Sequence, residues 1–227
     1  MGTPRDTREE QAEVVIERLE EAYPDSTISL RYSNRLELLI AVILSAQCTD
    51  ARVNQETEHL FAAYDGPEEY ANASQAELAE ALNSITYYNN KATYIREACA
   101  KILEEHDGEV PDTMTELTDL PGVGRKTANV VLQHGHDVVE GIVVDTHVQR
   151  LSRRLGLTEE RYPEPIEADL MGVVPEGYWQ GFTHLCIDHG RAVCTARNPS
   201  CEGCVLADVC PSERGDSDVD LASGEPW

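Results

Sequence analysis

Along most of the chain apolar residues return every three or four positions, the spacing of one helical face. In EEQAEVVIERLEEAYP, Ala12, Val15, Ile16, Leu19 and Ala22 line such a face, and Pro24 then stops the helix. Asn34 can cap a helix through Leu36–Ala46 that is apolar enough to be buried on most sides. Ser74 and Glu77 form a capping-box pattern ahead of Leu78 and Leu82. Further helices are predicted near 50–64, 89–105, 112–119, 124–134, 145–155, 163–172 and 177–189, with Gly108, Gly135 and Gly156 as stops. The GIVVDT stretch at 141–146 could be extended, but no alternating run is long enough to demand a sheet. The expected fold class is all-α, and SERGDSDVDLASGEPW at 212–227 reads as a disordered tail.

A chain of 227 residues, 41% hydrophobic, can bury the core of one or two domains. Its longest apolar run, Leu38 to Leu44, is too short to span a bilayer, and the polar start carries no signal-peptide pattern. Asp6 stands where a myristoylation motif needs Ser or Thr. A soluble, cytoplasmic protein without a membrane partner is expected. The formal charge is −24, from 42 acids against 18 bases, and only three bases are lysines, Lys91, Lys101 and Lys126. Such a balance ordinarily argues against a polyanionic partner. Molar salt removes the objection, because it screens charge within about 3 Å, and the composition fits a halophilic source.

Four of the seven cysteines, Cys194, Cys201, Cys204 and Cys210, are separated by six, two and five residues. Structural zinc usually draws on two short-spaced pairs, whereas an iron–sulfur cubane accepts four irregularly spaced thiolates. The spacing favours the cubane and leaves zinc open. Cys48, Cys99 and Cys186 lie among apolar neighbours and read as small core residues.

In LPGVGRKTANVVL at 120–132, Pro121-Gly122-Val123-Gly124 makes a tight turn between two helices. Glycine lets backbone amides approach a phosphate closely, and a helix N-terminus favours its charge. By itself the turn could be a plain helix corner. Lys126 just behind it, and VDTHVQRLSRRLGL at 144–157 with Asp145 at a helix N-cap and Arg150, Arg153 and Arg154 following, change the reading. An amine, a carboxylate, a phosphate-gripping turn and clustered arginines suit chemistry on a sugar–phosphate chain. Arg191 is a further candidate for a local basic edge.

Together these segments resemble the endonuclease III branch of the helix–hairpin–helix DNA glycosylases, over roughly residues 10–211. LPGVGRKTANVVL looks like the family's hairpin and catalytic lysine, VDTHVQRLSRRLGL like its catalytic-aspartate segment, and the cysteine spacing is that of its [4Fe–4S] loop. ILSAQCTD at 43–50 is similar to the turn whose glutamine, here Gln47, enters the DNA stack. The resemblance implies a bifunctional DNA glycosylase/AP lyase of base excision repair that removes oxidised pyrimidines and nicks the strand. Lys126 would attack C1′ of a flipped-out nucleotide, and Asp145 would stabilise positive charge on the sugar. Gly122, Val123, Gly124, Arg125, Arg150 and Arg191 would contact DNA, and Cys194, Cys201, Cys204 and Cys210 would hold the cluster.

The implied architecture is a six-helix domain over 28–138 and an iron–sulfur domain built from 1–27 and 139–211. The implied partner is double-stranded DNA with damaged bases or abasic sites, bound by a monomer in the nucleoid. Where the family commonly has a glycine and an aliphatic wedge before Tyr-Asn, this chain reads Ile85-Thr86-Tyr87-Tyr88-Asn89, which makes Tyr87 the candidate wedge. An adenine-mismatch glycosylase typically has an acid in the helix before the glutamine and lacks the lysine, and LLIAVILSAQ followed by Lys126 argues against it. A non-catalytic module gripping the DNA backbone is the remaining alternative, disfavoured by the pairing of Lys126 with Asp145. His147 and His189 are expected in structural hydrogen bonds.

Overall fold

Local capping chemistry sets where the helices begin. In the computed structural model, which describes residues 7–214, the Asn34 side chain accepts from the Glu37 amide at 2.9 Å. Ser74 and Glu77 satisfy each other's backbone amides as a capping box. In chain order the helices are α1 (Arg8–Ala22), α2 (Arg35–Ser45), α3 (Asp50–Ala63), α4 (Pro67–Asn72), α5 (Gln75–Ala81), α6 (Tyr88–Glu105) and α7 (Met114–Thr118). They continue with α8 (Arg125–Val131), α9 (Thr146–Arg154), α10 (Pro163–Val173), α11 (Trp179–Ala192) and α12 (Pro211–Arg214). The described residues contain no strand, and none of their helices is long and apolar enough to cross a membrane.

They divide into two compact units, Ser29–Glu140 and a second made of residues 7–28 and 141–214. The first is organised on α2, whose residues Leu38 to Leu44 are all buried and which packs against α3, α6 and α8. In the second, the apolar faces of α1, α9, α10 and α11 close on Phe182, Leu151 and Leu19, each fully buried. Gln11 of α1 donates to Val209 O at 3.0 Å and Arg18 donates to Val205 O at 2.8 Å, so α1 also fastens the chain after the last CxxC.

Several local expectations are corrected. Ala22 ends α1 exposed, off the buried face. The helix begun at Arg125 does not stop at Gly135 but widens into a π-turn over Leu132–His136, where Arg35 Nε donates to Gly135 O at 2.7 Å. Residues 142–145 form no strand, in line with the absence of any sheet signal, and Ile142, Val143 and Val144 are buried, with Thr183 Oγ1 donating to Val143 O at 2.9 Å. Residues 212–214 of the expected disordered tail belong to α12, and the rest of that stretch lies outside the described residues. Cys99 and Cys186 are buried, but Cys48 is only partly so. The six-residue α4 had no apolar period to betray it; its one anchor is Tyr70, stacked on Tyr64 with centroids 4.8 Å apart.

The hairpin shows why only one of its glycines is required by the fold. Gly122 has φ +78°, and a Cβ there would stand 2.7 Å from the Tyr94 Cβ. Gly124 has an ordinary φ of −96°, and a Cβ there would meet nothing within 4 Å. Gly122→Ala should therefore lower the unfolding free energy by about 1–3 kcal/mol. Gly124→Ala should stay within about 0.5 kcal/mol. Urea denaturation of the two variants checks this, and equal effects would contradict the packing described.

Candidate functional site

Within Ser29–Glu140 the hairpin places Lys126 in the first turn of α8, exposed and two residues after Gly124, the N-cap. Val123 is buried and its amide donates to Leu120 O at 3.1 Å, which pins the turn, while Arg125 is exposed. Two further candidates stand at helix ends in strained backbone. Gln47 follows α2 with φ +55°, and Tyr87 is the N-cap of α6 with φ +57° and 60% of its surface exposed. Non-glycine residues in this left-handed region are uncommon and often mark functional positions.

In the other unit Asp145 is the N-cap of α9. Its Oδ1 accepts from the amides of His147 and Val148 at 2.8 and 2.9 Å, and its Oδ2 lies 3.0 Å from His147 Nδ1. Backbone and imidazole together fix the carboxylate rotamer, and Asp145 is largely buried with His147 as its orienting neighbour.

Arg150 and Arg154, one and two turns further along α9, point into the protein instead of forming a basic edge. Arg150 is 5% exposed, with Nε donating to Cys194 O at 3.0 Å and Nη2 to Gly190 O at 3.2 Å. Arg154 is 1% exposed and donates to Thr195 O at 2.8 Å, Ala196 O at 3.0 Å and Cys194 Sγ at 3.2 Å. Arg150 is thus corrected from a DNA contact to a brace for the cysteine loop, because its guanidinium is buried against backbone carbonyls. Arg153 is half-buried, and Arg191 is exposed.

The four cysteines line one cavity of about 420 Å³, open solvent included, together with Leu151, Leu155, Val193 and Leu206. Donors converge on the sulfurs: Arg154 on Cys194, and the Leu206 amide and His189 Nε2 on Cys204, both at 3.4 Å. Among the described residues no three His, Cys, Asp or Glu side chains gather around one point as a single metal ion would need. Four thiolates spread around an apolar wall, with donors to the sulfurs, suit a cubane that gives each thiolate its own iron. Burial pushes the Cys201 thiol up to about 11, and those of Cys204 and Cys210 above their ordinary value. Ligation must displace those protons, which couples cluster loading to pH.

His189 explains one of these donors. Burial lowers its pKa to about 4, so the ring is neutral. A Cys204 thiolate can only accept, so Nε2 carries the proton and Nδ1 accepts from the Tyr23 hydroxyl at 3.0 Å. Neither the Tyr23 contact nor Lys91, whose ammonium is buried beside Gln47, was legible in the sequence. Both are long-range contacts with no spacing signal; only the scarcity of lysine hinted at the second.

Residues 194–210 match the iron–sulfur binding domain of endonuclease III. The cavity fits that assignment, and the cofactor of this protein is a [4Fe–4S] cluster. A hydrogen bond to a ligating thiolate stabilises the more reduced cluster. His189→Phe keeps a ring and removes the Nε2 donor, so it should lower the cluster's reduction potential in voltammetry, and an unchanged potential would count against the bond.

Residues 40–176 match the HhH-GPD superfamily base excision DNA repair protein. The chain is 49% identical to endonuclease III of Synechocystis sp. over 206 residues, 91% of this chain and 94% of the relative. It is 40% identical to endonuclease III of Escherichia coli K12 over 196 residues, 86% and 92% of the two. A solved structure of a trapped endonuclease III–DNA covalent intermediate superposes with a TM-score of 0.87 at 40% identity, covering 95% of this chain and 99% of that one. A thermostable thymine-DNA glycosylase, 21% identical with a TM-score of 0.83 over 92% of this chain and 100% of that one, shares the fold. The chain belongs to the endonuclease III family of helix–hairpin–helix base excision repair proteins, and it is a DNA glycosylase and AP lyase with a [4Fe–4S] cluster.

Proposed function

We propose that this enzyme removes oxidised pyrimidines from double-stranded DNA and nicks the strand by β-elimination, with Lys126 as nucleophile and Asp145 as its electrostatic partner. The observation that carries the reading is an exposed lysine in the first turn of α8, two residues after the glycine turn Gly122-Val123-Gly124 at the helix N-terminus. A related structure, 40% identical, is of an endonuclease III trapped as a covalent intermediate with DNA, which supports an amine nucleophile here. The Lys126 amine attacks C1′ of a flipped nucleotide, and the glycosidic bond breaks with its electron pair leaving on the base. Ring opening gives a Schiff base between C1′ and Lys126. Loss of a C2′ proton then expels the 3′ phosphate oxygen with the C3′–O electron pair. Arginine could not replace this lysine, because its guanidinium is not deprotonated in proteins.

Asp145 serves as a fixed negative charge opposing the cation that develops on the sugar. Its three hydrogen-bond partners hold it in one orientation, so no reorganisation is needed at the moment of reaction. The open space at Gly124 would admit a phosphate to the hairpin amides, with Arg125 and Arg191 as exposed cations nearby in sequence to each site segment. Gln47 and Tyr87 would fill the gap left by the flipped nucleotide, stacking being worth roughly 1–3 kcal/mol per base. When bound, the cluster cross-links the loop from Cys194 to Cys210 through four thiolate bonds. The enzyme would act as a monomer in the cytoplasm, at the nucleoid.

Borohydride should trap the protein on abasic DNA, and Lys126→Gln should abolish the adduct while duplex binding persists. An undiminished adduct in that variant would overturn the assignment.

Salt gives an independent check on the acidic composition. The burial of Arg150 and Arg154 removes two cations from a chain already at −24. Affinity built on about six phosphate neutralisations would fall by about five decades per tenfold rise in salt. Contacts through hairpin amides, stacking and base burial depend on salt far less, and the acidic surface is screened at high ionic strength. Nicking should persist or rise between about 0.5 and 2 M KCl, where the screening length is only a few ångströms. Steep loss above about 0.3 M would restore ordinary counterion-release binding.

A further inference from the structure

Of the three lysines the chemistry above uses only Lys126; Lys101 pairs with Asp119 and Glu105 near the surface, whereas Lys91 is buried. It lies in the first turn of α6 and is 4% exposed, so it cannot itself touch DNA. Its Nζ donates to Leu44 O at 2.8 Å and to Ala46 O at 2.6 Å, the carbonyls at the end of α2 immediately before Gln47. Its own amide donates to Tyr87 O at 3.1 Å. One residue therefore links both turns: the side chain grips the backbone leading into Gln47, and the main chain makes the first helical bond of α6, to Tyr87 O, as any non-proline residue there would.

Both turns are in left-handed backbone, with φ +55° and +57°, conformations that persist only where surrounding contacts hold them. Carbonyls at a helix C-terminus have no amide to bond within the helix, and they carry the negative end of its dipole, so a buried ammonium is well placed there. The compact ammonium suits this slot, whereas a planar guanidinium is larger and forked. Burial lowers the Lys91 pKa, against the opposing influence of the Cys48 thiol.

We propose that Lys91 is a positioning residue that fixes Gln47 relative to Tyr87, so that the two side chains enter the duplex together, and that it governs nucleotide flipping rather than bond breaking. The proposal rests on the reading that Gln47 and Tyr87 enter the DNA stack.

Lys91→Met keeps the length of the side chain and removes its donors. Misplacing a positioning group by about 1 Å can lower a rate by about a hundredfold. Excision of thymine glycol from duplex DNA should accordingly fall by about ten- to a hundredfold. Borohydride trapping on a single-stranded abasic oligonucleotide, which needs no flipping from a duplex, should stay within about twofold. Lys91→Gln, which keeps an N–H₂ donor, should lie between parent and Lys91→Met, and it carries the same comparison if the Met variant does not fold.

The decisive measurement combines Lys91→Met with Gln47→Ala and Tyr87→Ala. If Lys91 acts through those residues, its substitution adds little in a background that already lacks them. Multiplicative losses, or equal losses on duplex lesions and single-stranded abasic sites, would reduce Lys91 to a general stabilising role and overturn the proposal while sparing the reading beneath it. Full duplex excision by the Gln47→Ala, Tyr87→Ala background would overturn both.

Discussion

The carbonyls of a helix's last turn have no amide above them, and the chain must leave the helix just where they need partners. In this protein buried cations meet that need beside functional loops. Lys91 takes Leu44 O and Ala46 O after α2, Arg150 takes Gly190 O and Cys194 O after α11, and Arg154 takes Thr195 O and Ala196 O just beyond. Each cation restrains a segment with little apolar surface of its own: the Gln47 turn in one case, the entrance to the cysteine loop in the others. Removing such a cation leaves buried acceptors unsatisfied, a penalty of about 1–3 kcal/mol each.

This use of cations bears directly on recognition. A chain with 18 bases against 42 acids places two of its arginines and one of its lysines in the interior. Under the proposed reading, the contacts that would not depend on net charge are the hairpin with its open position at Gly124 and the side chains of Gln47 and Tyr87 against bases, beside the exposed Arg125 and Arg191. Contacts of that kind depend on shape and desolvation more than on net charge, so a strongly acidic protein can still be a DNA enzyme.

The cluster loop follows the same physics with sulfur in place of oxygen. Arg154 reaches Cys194 Sγ as well as carbonyls, and His189 reaches Cys204 Sγ through Nε2 while its Nδ1 accepts from Tyr23. Donors and apolar walls are supplied by α9 and α11 as well as by the loop, so the pocket for the cluster belongs to a packed domain and not to the loop alone.

Much of this was determined by the sequence alone. Caps at Asn34, Ser74 and Asp145, the buried stripe of α2, the hairpin around Gly122 and the four-cysteine spacing are local or periodic signals, and they act within a few residues of where they are read. The resemblance built on them named the family and the cofactor correctly. Only the tertiary structure decided that Arg150 faces inward, that Gly135 lies within a π-turn, that Tyr23 meets His189, and that Lys91 joins two strained turns. In one dimension a buried arginine is indistinguishable from a phosphate-binding one. Which role a long cationic side chain takes depends on whose carbonyls the fold brings within 3 Å of it, and that distance is set by packing between residues tens of positions apart.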